Sequence, residues 1–433
     1  MNWKISALKC PSKRAAVCSI LPVALLSGAL LVGCSGGSSS GGGTNAPASF
    51  RAAASFDVKP SGGEVAEIAA VTPNGQTLLY TDSETSRIGF VDISDLSNIR
   101  QTGFFAGEGS PTSVAITPNG RFAIAVFDGS RRMVVLNVAD RSVARTINLP
   151  GQPDSVAISS DGRFAAIAIE NQRPDEDLPL PNAPRGSLVV VNLAAEVADW
   201  TTRTVSLTLP NTLDFPTDPE PEYVSINSRN EAALTLQENN GIAIVNLASA
   251  SVTRIFSAGR TTHAADLTDN GAIAFTDTLT NSRRQPDGIA WTPRGNLITA
   301  NEGDYDLDLP DGGFVGGRNF TIFSPTGSVV FDDPGNTERA VIAAGRYADG
   351  RSDAKGVEPE NVTVSTLGGR GFAFIALERA DSLAVYRLDN ESSPTLVQIL
   401  PTGSRPEGVV VVPNRNLIVT ANEGDGTLSF FTP

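Results

Sequence analysis

The stretch VAITPNGRFAIA (114–125) returns as VAISSDGRFAAI (156–167). Each copy runs from a short β-branched segment through a polar turn with Asn-Gly or Asp-Gly into a second apolar segment, the pattern of a tight β-hairpin. Further copies begin at Ile68 (IAAVTPNGQTLLY), Tyr223 (YVSINSRNEAALTL), Ile289 (IAWTPRGNLITA), Val362 (VTVSTLGGRGFAFIAL) and Val409 (VVVVPNRNLIVTA), making seven in all. Repetition of one hairpin predicts an array in which each unit buries its faces against its neighbours.

A third run follows in the first six units, at 88–92, 133–137, 187–192, 242–246, 319–323 and 383–386, and a weaker fourth often closes the unit, as at 144–149 and 251–256. Four antiparallel strands per unit and no helical period predict an all-β chain, a seven-bladed β-propeller. The seventh unit supplies 408–413, 416–421 and 427–431 and is one strand short. The segment FRAAASFDV (50–58) supplies the missing strand, and pairing the two ends closes the ring without an open edge.

Composition agrees. The 433 residues are 40% hydrophobic but only 6% aromatic, so the core is aliphatic, and 41 Gly with 28 Pro imply many turns. Residues 1–33 read as an export signal, with Lys4, Lys9, Lys13 and Arg14 preceding an apolar run too short and Gly/Ser-broken for a membrane span. The run ends in LVGC (31–34), which resembles a bacterial lipobox and implies lipid attachment at Cys34; Ser35 after it implies the outer membrane. The alternative is an ordinary signal cut near Ala29. Residues 34–48 form a Gly/Ser-rich tether and 49–433 the propeller. Removing the signal's four basic residues and no acids takes the formal charge from −14 to −18, which excludes nucleic acid as a partner and favours cations. Cys10 and Cys18 lie in the signal, so the mature body has no thiol for a disulfide, a thiolate site or a nucleophile.

The hexapeptide TANEGD stands at 299–304 and again at 420–425. In a blade the second strand ends, and the first begins, at the same mouth of the central channel, here termed the top. Glu302 and Glu423 follow second strands, and Asp82, Asp128, Glu170, Glu238 and Glu378 are their expected counterparts. Ahead of first strands stand Asp154, Glu222, Asp287, Glu360 and Glu407, each after a Pro, with Glu67 in the first unit and Thr112 in the second. Crowded carboxylates must protonate, pair with Arg or hold a cation. Arg87, Arg131, Arg379 and Arg405 are candidate internal partners. Oxygen donors from these acids, with Asn301 and Asn422 as further donors, suit Ca²⁺ or Mg²⁺, whereas the lack of Cys and a single His argue against Zn²⁺. Ca²⁺ is therefore the expected cofactor. The competing reading is that the acids cap strand ends and hold the blades in register.

Insertions at 171–186, 211–220, 259–285, 303–318 and 333–358 all open on this top face, where a protein or small-molecule ligand is expected. Within one of them Asp304, Asp306 and Asp308 alternate as in calcium loops, but Leu309 and Val315 break the EF-hand pattern. His263 reads as a loop residue, no serine lies in a G-x-S-x-G elbow, and Gly312–Gly317 does not follow a phosphate-loop pattern.

Units two and three, with GSPTSVAITPNGRFAIAV and GQPDSVAISSDGRFAAIA, resemble YVTN-type surface-layer propellers. The last third, with PDGIAWTPRGNLITANEGD, KGVEPENV, FAFIALERADSLAVYRL and RPEGVVVVPNRNLIVTANEGD, resembles the choice-of-anchor I family of exported bacterial propellers. That family includes proteins similar to a mesenchyme-specific cell-surface glycoprotein, and some relatives continue into a phytase-like esterase module. The expectation is a monomeric, lipid-anchored cell-envelope module for binding or scaffolding, periplasmic or surface-exposed, with a cation at its acidic mouth. Two alternatives are a calcium-dependent phosphoesterase of the phytase or alkaline-phosphatase kind, in which bound cations polarise the ester, and a structural surface-layer component.

Overall fold

The repeated hairpins become the first and second strands of seven four-stranded antiparallel sheets in the computed structural model, which describes residues 49–170, 184–303 and 316–433. Within six of the sheets the strands follow chain order from the inside outward. Blade three, for example, runs Pro153–Ile158, Phe164–Ile169, Ser187–Asn192 and Thr201–Ser206. The chain is the all-β, seven-bladed propeller that its repeats predict.

The second strands read as continuous apolar runs because both of their faces are covered. In Phe164–Ile169, Phe164, Ala166 and Ala168 face blade four and join Ala232, Leu234 and Leu236. Ala165, Ile167 and Ile169 face blade two and join Phe122, Ile124 and Val126. Alternation of side chains along a strand makes each blade the filling between two neighbours. The bottom turns repeat as well: Thr117 Oγ1 donates to Asn119 Oδ1 at 2.8 Å and accepts from Phe122 N at 3.0 Å. Gly120 then turns the chain at φ 70, which a side chain would resist.

The ends meet as expected. Strand Arg51–Asp57 is the fourth strand of blade seven and pairs antiparallel with Thr427–Thr432, from Arg51 opposite Thr432 to Asp57 opposite Thr427. Ahead of it, Phe50 N donates to Gln398 Oε1 at 2.8 Å, and its ring meets Phe372 and Phe374 edge-on at 5.6 Å.

Two elements depart from the repeat. A separate hairpin, Arg260–Ala265 with Asp277–Arg283, fills the insertion after blade four. It corrects the reading of His263, which is a buried strand residue with Nε2 2.8 Å from Gly317 O and Nδ1 3.0 Å from Ala264 O. A helix, Asn336–Ala343, lies in the insertion after blade five; Asp333 caps it by accepting from Asn336 N at 3.1 Å and Thr337 N at 3.0 Å. No helix among the described residues is long and apolar enough to cross a membrane.

Candidate functional site: the acidic mouth

Where five of the seven first strands begin, the ladder slips, while Ala69–Val71 and Ile289–Trp291 keep an unbroken register. Pro153 pairs with Ile169, but the next pair is Val156 with Ile167; the same break follows Pro111, Pro221, Pro359 and Pro406. A bulge of this kind re-aims side chains, and here it directs the residue after each Pro toward the channel axis. With Glu67 and Asp287 ahead of the two unbroken strands, these residues form a leading ring of Glu67, Thr112, Asp154, Glu222, Asp287, Glu360 and Glu407. Residues just past the second strands form a trailing ring of Ser83, Asp128, Glu170, Gln237, Glu302, Glu378 and Glu423, and both rings line one continuous mouth.

Two sequence assignments were one residue out of register. Asp82 is the last residue of its strand, Thr77–Asp82, and accepts from Glu64 N at 2.9 Å and Thr85 N at 3.1 Å, while Ser83 takes the ring position. In blade four Gln237 takes that position, and Glu238 lies buried beside Glu170 and Glu222, their oxygens within 4.8 Å of one another. Asn301 and Asn422 turn into their blades. Asn301 Oδ1 accepts from Thr299 Oγ1 at 2.8 Å, and its Nδ2 donates to Asn319 Oδ1 and Thr321 Oγ1 at 2.8 Å. Asn422 does likewise with Thr420 and Ser429 at 3.0 Å. The Thr-x-Asn of TANEGD thus ties the second strand to the third, and its Glu lines the mouth. Thr112, the exception in the leading ring, donates to Pro153 O at 3.0 Å.

The chain brings its own cations to one side. Arg405 holds Glu378 at 2.6 Å and Glu423 at 2.8 Å, and Arg379 reaches Glu378 at 3.3 Å and Glu358 at 2.5 Å. Arg351 also pairs with Glu358, whose side chain is fully buried. Lys355 pairs with Glu302 and donates to Gly303 O at 3.0 Å, while Gln237 Nε2 donates to Glu302 Oε2 at 2.8 Å. Of the expected partners Arg379 and Arg405 serve, but Arg87 binds Gly62 O at 3.0 Å and lies over the Phe104 ring instead. Lys355, Arg351 and Glu358 come from the 333–358 insertion, which has no repeat to mark them. Among the described residues no ion pair holds Asp128, Asp154, Glu222, Asp287, Glu360 or Glu407.

Burial in this mouth disfavours charge. It pushes the carboxyls of Glu67, Asp154 and Glu378 up to about 7. Glu222, Asp287, Glu360 and Glu407 rise well above the usual range, first through burial and then through neighbouring carboxylates. Glu302 also rises, because burial outweighs Lys355 and Gln237. Glu358 is held low: burial would raise it, but bonds from Glu378 and Arg379 prevail. The Tyr223 hydroxyl is pushed up to about 12 by burial.

Three groups bring carboxylate oxygens within 4.8 Å of one another: Glu170, Glu222 and Glu238; Asp287, Glu302 and Glu360; and Glu302, Glu358 and Glu378. Glu222 Oε2 and Glu360 Oε2 are buried with no hydrogen-bond partner among the described residues. A set of hard oxygens with unused lone pairs fits a hard cation. Cys34, Asp304, Asp306 and Asp308 lie outside the described residues.

The fold is shared with distant proteins. Hydrazine synthase of Kuenenia stuttgartiensis superposes with a TM-score of 0.57 at 15% identity, over 85% of this chain and 96% of that one. The β-propeller domain of Cps50 (Swd1) from Myceliophteria thermophila gives 0.54 at 11% identity, over 86% and 97%. Such identities speak to fold alone. No curated protein matches the chain. The profile of the choice-of-anchor I domain matches residues 67–313 and 313–391, which includes five whole blades, three strands of the sixth and most of both acid rings. A propeller with this domain fits an exported, surface-associated module for binding or scaffolding, and the chain belongs to the choice-of-anchor I family.

Proposed function

We propose that the protein is a cell-envelope binding module, anchored by lipid at Cys34 in the outer membrane, whose acidic mouth takes up divalent cations, with Ca²⁺ as the expected one. The observation that carries this reading is the three carboxylate groups with oxygens within 4.8 Å of one another. Asp287, Glu302 and Glu360, and beside them Glu222, Glu170 and Glu238, are the residues that would hold the ion. A bound divalent ion supplies positive charge where burial and mutual repulsion now favour protons. The insertions around the rim then offer a partner protein or small molecule a surface whose charge the cation sets.

Calorimetric titration with CaCl₂, paired with melting curves, tests the reading: binding and a higher Tm are expected, and heat-silent titration without a Tm change would reject it. Turnover of p-nitrophenyl phosphate or phytate that is lost in Glu302→Gln would make the module a phosphoesterase instead.

A further inference from the structure

Resting on the cation-binding reading above, we propose that Lys355 is a built-in competitor for the cation: its ammonium occupies one seat of the mouth, and a divalent ion entering there swings it out. Lys355 Nζ donates to Glu302 Oε1 and, at 3.0 Å, to Gly303 O, with both side chains largely buried at 13% and 12% exposure. Glu302 belongs to the cluster with Asp287 and Glu360, so the ammonium stands where an ion would take its oxygens. One ammonium does not satisfy that cluster. Glu360 Oε2 stays buried without a hydrogen-bond partner among the described residues. A divalent ion brings twice the charge and accepts six or more oxygens, whereas an ammonium has only three protons to donate. The two cannot share Glu302, because like charges a few ångströms apart in a partly buried site repel strongly.

The carrier of the ammonium is suited to release. Lys355 comes from the insertion between blades, not from the rings, and its neighbour Gly356 turns at φ 62. Arg318 holds the backbone just before it, donating to Ser352 O at 2.9 Å and to Ala354 O. The four-carbon stem can therefore leave the mouth while the segment stays attached.

The test uses the full chain. CaCl₂ is titrated calorimetrically at fixed ionic strength into wild type, Lys355→Met and Lys355→Arg, and trypsin digestion with and without CaCl₂ is mapped for cleavage after Lys355. Lys355→Met is expected to bind at least about tenfold tighter than wild type, a difference of about 1.4 kcal/mol, with Lys355→Arg close to wild type. In wild type CaCl₂ is expected to speed cleavage after Lys355, a readout that needs no variant. Equal Ca²⁺ affinity in wild type and Lys355→Met, with cleavage after Lys355 unchanged by the ion, overturns the competitor and leaves the cation reading standing. Absence of binding in all three proteins overturns both.

Discussion

Glu378 and Glu358 show how single residues in the mouth divide their labour. Burial, and then the neighbouring Glu358, pushes Glu378 up to about 7, whereas Glu358, paired with Arg379 and Arg351, is held low. The wider set has a consequence for stability. Carboxyls whose pKa rises on folding make the native state hold more protons than the unfolded chain, so their favourable contribution is complete below the ordinary carboxylate pKa and is lost as pH rises through the folded value. Glu67, Asp154 and Glu378 place that loss near pH 7, and the more strongly raised Glu222, Asp287, Glu360 and Glu407 extend it upward. In chelator the Tm is therefore expected to fall between about pH 5 and about pH 8; saturating CaCl₂ is expected to flatten the fall, and calorimetric scans at several pH values check both. The acids themselves were legible as two repeated positions, one ahead of each first strand and one just past each second strand. Their register was not, in two blades: a slip of one residue turns a strand side chain to the other face, and the neighbouring Asp82 and Glu238 hid the Ser83 and Gln237 that hold the ring position. Lys355 was illegible because 53 residues separate it from Glu302 and no pattern surrounds it.

At the scale of elements, arginines fasten one blade to the next. Arg145, on the fourth strand of blade two, donates to Val197 O at 2.7 Å, Ala198 O at 2.9 Å and Trp200 O at 2.8 Å in the turn of blade three. Arg203 repeats this toward blade four, reaching Leu247 O at 2.8 Å and Ala248 O at 3.2 Å, and Arg415 toward blade one through Gly75 O and Ile93 O. In each residue all these bonds come from one terminal nitrogen, Nη1 in Arg145 and Arg415 and Nη2 in Arg203, which the rigid planar guanidinium holds in place where a flexible ammonium stem is less preorganised. Arg145→Ala is expected to cost about 1–3 kcal/mol, read in urea melts, and Arg145→Lys to recover only part of it. Hairpins of the blades were legible because Asn-Gly and Asp-Gly turns recur between apolar runs. The helix Asn336–Ala343 was not: eight residues give too short a window for a period, and its hold comes from buried Val341 and the Asp333 cap. The hairpin Arg260–Ala265 with Asp277–Arg283 escaped for a related reason, since Thr and Ala dilute its apolar alternation.

For the whole molecule, closure depends on one strand. Removing residues 1–57 is expected to leave Thr427–Thr432 with a bare edge, lower the Tm and give multimers in size-exclusion chromatography, because an exposed edge pairs with another chain. Supplying Arg51–Asp57 as a C-terminal extension after a flexible linker is expected to restore the monomer. The same closure imposes an order in time. The closing strand is among the first segments synthesised and its partner the last, and at roughly 5–20 residues per second the wait is on the order of tens of seconds. Contacts of such sequence separation also form late because loop closure must precede their reward. A waiting strand rich in β-branched residues would invite aggregation. RAAASFD has one aromatic, three alanines and two charges, and five of its seven positions stay exposed even in the finished ring. Its weakness as a strand is what lets it wait for its partner unpaired.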